Sequence, residues 1–178
     1  MSSRDNTLAP NNSTNNNTIT VKNTSSTVYY VFGGYSDNTN VYENTVNISG
    51  GTINGTIRGG ATDLGLAINN TINISGNPIF GAGAGLFGGE AEENPTFEYS
   101  IKGNTLNLKT KDITVQHVGN FEFVNFYLPN NIKANDTILT SDFVRRLNQS
   151  KIGIGVMNGN TLAIKTGDKV TLINATPL

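Results

Sequence analysis

The stretch that decides the fold is Asn44 to Gly76, NTVNISGGTINGTIRGGATDLGLAINNTINISG. It opens and closes on nearly the same words: NTVNISG at 44–50 returns as NTINISG at 70–76, 26 positions later. A second landmark gives the same period, since VFGGY at 31–35 returns as TIRGGA at 56–61 and Gly33 to Gly59 is again 26 positions. Two independent landmarks with one spacing define a repeat, and a repeat of 20 to 50 residues signals a stacked architecture. Degenerate copies extend it outward: NTITVK begins at Asn17, 27 positions before Asn44, and NTLNLKT begins at Asn104, 34 positions after Asn70. The surplus in that last spacing divides into three residues near GAGAG and five near EAEENP, after which Gly119, 15 positions beyond Asn104, is expected to restore the register. Four to five units result.

Within each unit the alternation has period two, the pattern of a strand and not of a helix. Val46 and Ile48 share one face with Thr45, Asn47 and Ser49 opposite; Ile72 with Ile74, Ile19 with Val21 and Leu106 with Leu108 repeat this, and Ile53, Gly55 and Ile57 share a parity downstream. Gly-Gly pairs and Asn-rich tracts separate the runs, and both residue types tolerate the positive φ of a tight corner. One such unit cannot bury its apolar face alone, so copies must stack around a narrow shared core. The expected fold is therefore all-β, a parallel β-helix (β-solenoid) of four to five coils. Gly33, Gly59 and Gly88 are expected to stack at one corner, and Thr18, Thr45, Thr71 and Thr105 to form an outward column, with Thr20, Asn47, Asn73 and Asn107 two positions along. An antiparallel sandwich is the alternative, but a fixed period of identical apolar sets favours stacking in register, because a one-residue slip turns every Ile and Val outward.

Composition agrees with a thin rod. Among 178 residues, 36% are apolar, 14% are charged, 20 are Gly and 28 are Asn, with no Cys and no Trp. Without Cys there is neither a disulfide scaffold nor a thiolate metal site. A net charge of −1 with twelve Lys and Arg argues against a nucleic-acid partner held by a basic field. No apolar run approaches the roughly 18 residues of a membrane helix. The opening MSSRDNTLAPNNSTNNNT has neither the basic start nor the apolar stretch of a signal peptide, so any export signal is expected to have been removed or to lie in a longer parent.

The chain divides into an Asn/Ser-rich tail or cap at 1–16, solenoid repeats at 17–128, and a C-terminal cap at 129–178. FEFVNFYLP, from Phe121 to Pro129, is the most aromatic stretch and reads as covering the exposed end of the core. SDFVRRLNQ at 141–149 offers Ser141 or Asp142 as an N-cap before Phe143, Val144 and Leu147, and predicts a helix of two turns. KIGIGVM, TLAIK and KVTLIN follow, separated by Asn158-Gly159 and Gly167-Asp168, and predict an antiparallel meander with hairpin turns.

The succession GGY, NTVNISGGTINGTIRGGA, NNTINISG, then FYLPNNIKANDTILT and KTGDKVTLI, resembles the passenger regions of large Gram-negative autotransporter adhesins, proteins of type V secretion, over roughly Val31 to Ile173. The resemblance implies a right-handed parallel β-helix displayed on the bacterial cell surface, extracellular and anchored to the outer membrane through its parent. It implies adhesion or spacing as the role, with a glycan or protein of a host or neighbouring cell as partner. The C-terminal barrel of such a parent would read as many alternating ten-residue strands; no such region is present, and this chain is expected to be a passenger segment that does not itself insert into the membrane.

Catalytic inventory is thin, and no catalytic, cofactor or metal residue is assigned. His117 is the only His, is expected on a strand surface or corner, and has no GxSxG-type elbow near it. Glu90, Glu92 and Glu93 form the densest acidic group and read as a solvated loop, although a pair of carboxylates is what glycoside cleavage needs; a carbohydrate-active β-helix enzyme is thus the runner-up. Arg58 is the only basic residue between Lys22 and Lys102, which counts against a lyase. Asp37 and Asp63 each follow a Gly-Gly pair as in calcium-binding β-rolls, but the second half of that motif is missing, and six to eight oxygen ligands are not in view. N-x-S/T sequons at Asn47, Asn54, Asn69 and Asn73 matter only in a glycosylating host. The Thr and Asn columns read first as polar ladders satisfying one another and second as a flat glycan-contacting face. A more remote reading is an ice-binding face, for which only the first coil has Thr-x-Thr.

Overall fold

The computed structural model describes residues 14–22, 27–157 and 161–175. They form a β-solenoid of about five turns. One long side is a six-stranded sheet whose strands follow in chain order: Thr18–Val21, Thr45–Ile48, Thr71–Ile74, Thr105–Leu108, Phe123–Leu128 and Lys151–Val156. The second long side stacks Val31–Phe32, Thr56–Thr62, Gly85–Ala91, Ile113–Gly119, Thr137–Arg145 and Thr171–Ala175, with Tyr35–Ser36 also pairing Thr56–Thr62. Two narrow sides complete the early coils, one from Thr27–Val28, Thr52–Ile53 and Ile79–Phe80, the other from Val41–Tyr42 and Ala67–Ile68. Every pairing among the described strands is parallel.

The period-two pattern becomes the core. Val46, Ile72, Leu106 and Val124 are partners in adjacent rungs and all are fully buried, and Ile48, Ile74, Leu108 and Phe126 make the neighbouring column. Ile53 and Ile57 of the same coil pack against these columns in one continuous narrow core, which is why a low apolar fraction suffices. The corner before each of the first four rungs of the six-stranded sheet repeats a left-handed residue: Asn16, Glu43, Asn69 and Gly103 have φ of 59°, 59°, 56° and 70°. The glycine corner is also as expected. A Cβ at Gly33 would collide with the Gly59 carbonyl, one at Gly59 with the Gly88 carbonyl, and one at Gly88 with the Asn120 carbonyl.

The inserted residues also fall where the spacing put them. Gly81 to Ala84 close a turn through Ala84 N–H to the Gly81 carbonyl, 2.9 Å. The later insertion carries the single short helix among the described residues, Phe97–Ser100.

Three expectations need correction, all in the second half. Gly119 does not recover the register: it pairs with Phe87, and Asn120, at φ 60°, stands over Gly88. The coil between Thr105 and its partner Phe123 has only 18 residues. It turns at Asp112 (φ 60°) and Asn120 without strands on the two narrow sides. The cross-section shrinks, and the fully buried Phe121 fills the corner.

Second, the FEFVNFYLP stretch is no cap. Phe123–Leu128 is an internal rung, with Thr105–Leu108 on one side and Lys151–Val156 on the other.

Third, residues 141–149 hold no helix, and residues 129–178 no antiparallel meander among the described residues. Thr137–Arg145 is a nine-residue strand in which Ser141 is fully buried, and Lys151–Val156 and Thr171–Ala175 pair in parallel with Phe123–Leu128 and Thr137–Arg145. Phe143 pairs with His117 outside and Val144 with Val118 inside. Ladder pairing thus overrides the helical spacing of Phe143, Val144 and Leu147. The Asn158-Gly159 turn signal lies outside the described residues, as do residues 1–13 of the expected tail; Thr14 and Asn16 are held by Asn40 and Tyr42 carbonyls.

Candidate functional site

With a parallel register, whatever one rung presents outward is presented again on the next, about 4.8 Å away. The outer surface of the rod therefore consists of columns, and three are chemically distinct.

The six-stranded sheet carries the expected polar face. Thr18, Thr45, Thr71 and Thr105 are register partners, and so are Thr20, Asn47, Asn73, Asn107 and Asn125. The amides bond in sequence: Asn73 Nδ2 donates to Asn47 Oδ1 at 2.8 Å, Asn107 Nδ2 to Asn73 Oδ1 at 2.8 Å, and Asn125 Nδ2 to Asn107 Oδ1 at 2.9 Å. The column stops at Gly153, where a Cβ would collide with Asn125 Oδ1. The Thr column gives way to Phe123 and Lys151, whose ammonium sits 5.0 Å over the Phe123 ring. Of the sequon residues, Asn47 and Asn73 are tied into this ladder, Asn54 is exposed, and Asn69 is the left-handed corner residue.

The second sheet presents aromatic rings and charge instead. Arg58 lies 5.2 Å over the Phe32 ring and pairs with Glu90. His117 stacks on Phe143 at 5.0 Å and 22°, with Phe87 at 6.3 Å on its other side, and its Nδ1 is buried without a hydrogen bond among the described residues. Ser141, on the strand that carries Phe143, is turned inward and donates to the Phe143 carbonyl at 3.0 Å, so it is no nucleophile for His117.

The third feature is a cavity of about 270 Å³ where the insertion meets the later coils, lined by Glu90, Glu92, Pro95, Asn120, Arg145 and Arg146. It brings Glu90 and Glu92, read as a solvated loop, together with two guanidiniums 53 or more positions away in sequence. Glu90 is held by Arg58, and Glu92 has no ion pair among the described residues. Asp37 and Asp63 lie on successive coils, where Asp63 N–H donates to the Ser36 carbonyl and Leu64 N–H to the Asp37 carbonyl. The Tyr35 hydroxyl approaches Asp63 Oδ1 at 3.5 Å. Among the described residues no three His, Asp or Glu side chains converge as a metal site, and no helix is long and apolar enough to cross a membrane.

A fourth column is internal. Asn44, Asn70 and Asn104, the first letters of the repeat, are fully buried. Asn70 Oδ1 accepts from Asn44 N–H at 3.1 Å and from Asn44 Nδ2 at 3.0 Å; Asn104 Oδ1 accepts from Asn70 N–H at 2.8 Å and Nδ2 at 3.3 Å. The remaining amide hydrogens go to carbonyls: Asn70 Nδ2 to Val41 at 3.3 Å, Asn104 Nδ2 to Ala67 at 2.9 Å and Ser100 at 2.8 Å. Sequence reading used these residues only as spacing marks. The signal that exposes them is an invariant amide directly before each Thr, at a position whose parity is inward.

Glu122 occupies the next rung of that column. It accepts from Lys151 at 2.7 Å and from Gly103 N–H at 2.8 Å, and these two bonds, in that order, lower its carboxyl below the usual value. Asp136 is lowered likewise by Lys111 and then the Lys133 N–H. Lys111, between Asp112 and Asp136, is raised. These charges hold coils together.

No protein-family model matches this chain, and comparison with curated proteins and with solved structures returns no match either.

Proposed function

We propose that this chain is a non-enzymatic, surface-displayed rod of an adhesin, a passenger segment of an autotransporter that contacts a glycan or protein on a host or neighbouring cell. The observation that carries the reading is the outer face of the six-stranded sheet, whose first four rungs present only Thr and Asn side chains. Four stacked Thr and four hydrogen-bonded Asn make a rigid array of hydroxyls and amides at a fixed pitch. A glycan presents hydroxyls of both donor and acceptor character, and a preorganised array meets them without ordering side chains on contact. The parallel, edge-paired build supports the second half of the role, an extended spacer that resists unfolding outside the cell. The resemblance in repeat order and in the FYLP and GDKVTLI segments supports export through a larger parent with an outer-membrane barrel.

The runner-up, a carbohydrate-active enzyme, finds its support in the cavity at Glu92, Arg145 and Arg146. Chemistry weighs against it. Acid and base need two groups that exchange protons near neutral pH, guanidinium does not deprotonate there, and Glu90 is engaged by Arg58.

Glycan-array and host-cell binding by the purified chain tests the proposal. Binding that falls at least about tenfold, some 1.4 kcal/mol, in Thr71→Glu, with an unchanged circular dichroism spectrum, supports it. Absence of binding to every glycan and cell type, or cleavage of a polysaccharide panel abolished by Glu92→Gln, overturns it.

A further inference from the structure

We propose that the cavity beside Glu92 binds a single acidic sugar residue, its carboxylate held by Arg145 and Arg146 and its hydroxyls by Asn120 and Glu92. The inference rests on the reading of the rod as a glycan-contacting protein, and adds to the Thr and Asn face a second contact of different chemistry.

The corner column builds the site. Register carries the glycine corner on from Gly33, Gly59 and Gly88 to Asn120 and then Arg146, because Phe32 and Phe87 both pair with Arg58, Phe87 pairs with Gly119, and Gly119 pairs with Arg145. At these last two steps the backbone turns left-handed, with φ of 60° at Asn120 and 55° at Arg146. Asn enters that region readily and Gly without cost, but Arg does not. What Arg146 brings to the corner is a guanidinium. The coil from Thr105 to its partner Phe123 has only 18 residues and turns at Asn120, and Gly119 places no side chain between Phe87 and Arg145. Beside the insertion this leaves an opening of about 270 Å³, below the roughly 300 Å³ at which drug-sized ligands begin to fit and suited to one sugar ring. The strands that lead into it, Gly85–Ala91, Ile113–Gly119 and Thr137–Arg145, each have a paired strand on both sides, so the cavity is internal to the stack.

Its polar groups lack partners that such a ligand supplies. Asn120 is only 6% exposed, and its Nδ2 donates to the Gly89 carbonyl at 2.7 Å, which fixes the amide. Its Oδ1 is buried with no donor among the described residues, a cost that an entering hydroxyl removes. Neither Arg145 nor Arg146 has an ion pair among the described residues, and guanidinium meets carboxylate as a planar bidentate pair. Three guanidiniums, Arg58, Arg145 and Arg146, stand against two carboxylates, Glu90 and Glu92, and leave one positive charge. One carboxylate neutralises it. A doubly charged phosphate overshoots, and a neutral sugar leaves both arginines unpaired.

Nuclear magnetic resonance titration of the isotopically labelled chain with D-glucuronate tests the site, read at the Asn120 side-chain amide and the Arg145 and Arg146 guanidiniums. Saturable shifts are expected, with affinity at least about tenfold weaker for glucose, which lacks the carboxylate, and for acetate, which lacks the ring. Arg146→Gly should lose at least about tenfold in glucuronate affinity yet melt at or above the wild-type temperature, since Gly takes φ 55° freely. A residue serving only the fold would lower the melting temperature instead. Arg145→Gln, at an exposed side chain, should show the same loss of affinity and serves alone if the Gly variant does not fold. No saturable response to glucuronate, equal affinity for acetate or glucose, or wild-type affinity in the folded variants overturns the proposal. If glucuronate fails while glycan binding that depends on Thr71 persists, only the cavity is refuted; if glycan binding is absent as well, the reading beneath it falls too.

Discussion

Replacing Asn70 with Ala removes the centre of the buried amide column. Asn70 is fully buried, and its side chain takes part in four hydrogen bonds: two accepted from Asn44 N–H and Nδ2, two donated to Val41 O and Asn104 Oδ1. The losses are unequal. Asn44 Nδ2 retains the Thr14 carbonyl at 2.8 Å and Asn104 Oδ1 retains Asn70 N–H, so those two groups stay satisfied. The Asn44 N–H loses the acceptor it has and is left buried. A stranded donor costs about 1–3 kcal/mol, and each of the other lost bonds about 0.5–1.5 kcal/mol. The sum for Asn70→Ala is about 3–5 kcal/mol after neighbouring carbonyls relax. Asn73→Ala is the control: the same residue three positions later, one donated and one accepted bond, on the solvent side. There water replaces the lost partners, and about 0.5–1 kcal/mol is expected. Urea unfolding followed by circular dichroism gives both values from the shift in midpoint, provided the slope is unchanged. Equal midpoints for the two variants, or an Asn70→Ala loss under about 1 kcal/mol, would refute the assignment of the inner column as a stability element.

Four further outcomes are expected. Gly59→Ala should prevent stable folding, because its Cβ meets Asn70 Cβ at 2.7 Å and the Gly88 carbonyl closer still, whereas Gly155→Ala, 3.6 Å from the Tyr127 ring, should unfold at the wild-type midpoint; equal expression and melting of the two would contradict the stacked corner. Ile74→Asp places a charge in the core beside Ile48 and Leu108 and should cost on the order of 5 kcal/mol, while Asn73→Asp, facing out, should be tolerated; equal damage would mean the facing is reversed. Glu122 and Asp136 have folded pKa values below their unfolded ones, so their stabilisation is complete above the unfolded carboxylate range and is lost as pH falls through the folded values. Urea midpoints should therefore drop between neutral pH and about pH 3, less steeply in Glu122→Gln, and identical slopes in the two proteins would remove Glu122 from the account. The Thr column spans four rungs before Phe123 interrupts it, so purified chain should show no thermal hysteresis, and a measurable gap between melting and freezing points would restore the ice-binding reading.

How much of this was readable in the chain differs between its halves, for a physical reason. From Asn17 to Leu108 the coils have one cross-section, and an insertion only lengthens a corner, so spacing alone places each residue. After Leu108 the cross-section itself changes. A coil of 18 residues cannot keep the landmarks of one of 26, and bulky Phe121 and Phe126 take over space that two short sides had enclosed. The repeat nevertheless continues in a different dialect: IKAND at 132–136 and IKTGD at 164–168 each turn on a left-handed residue, Asn135 or Gly167, and each closes with the Asp carboxylate accepting the Lys N–H at 2.7 Å. Matching those two words would have shown that the last third stacks in parallel. The cavity at Glu92 was out of reach of sequence reading, because Arg145 and Arg146 approach it only through the parallel pairing of Thr137–Arg145.

The two asparagine columns sharpen what a repeat of this kind specifies. Chemically the side chains are the same, and both columns run at the pitch of the strands, yet their neighbours constrain them differently. In the outer column the ends are Thr20 and Gly153, and water stands in wherever an amide is missing. In the inner column both amide hydrogens and both oxygen lone pairs of Asn70 and Asn104 are met by protein, so such a rung is specific for Asn, and the column terminates where Glu122 brings a carboxylate that reaches out to Lys151. The inner column therefore sets how many coils share one corner geometry, and the short coil begins directly after its last member, Asn104. A chain engineered with an added 26-residue unit between Asn70 and Asn104 should extend the rod without disturbing either end. The same unit added after Glu122 should not, because Glu122 has no amide hydrogens to donate to a following Asn and its carboxylate is taken by Lys151 and the Gly103 N–H.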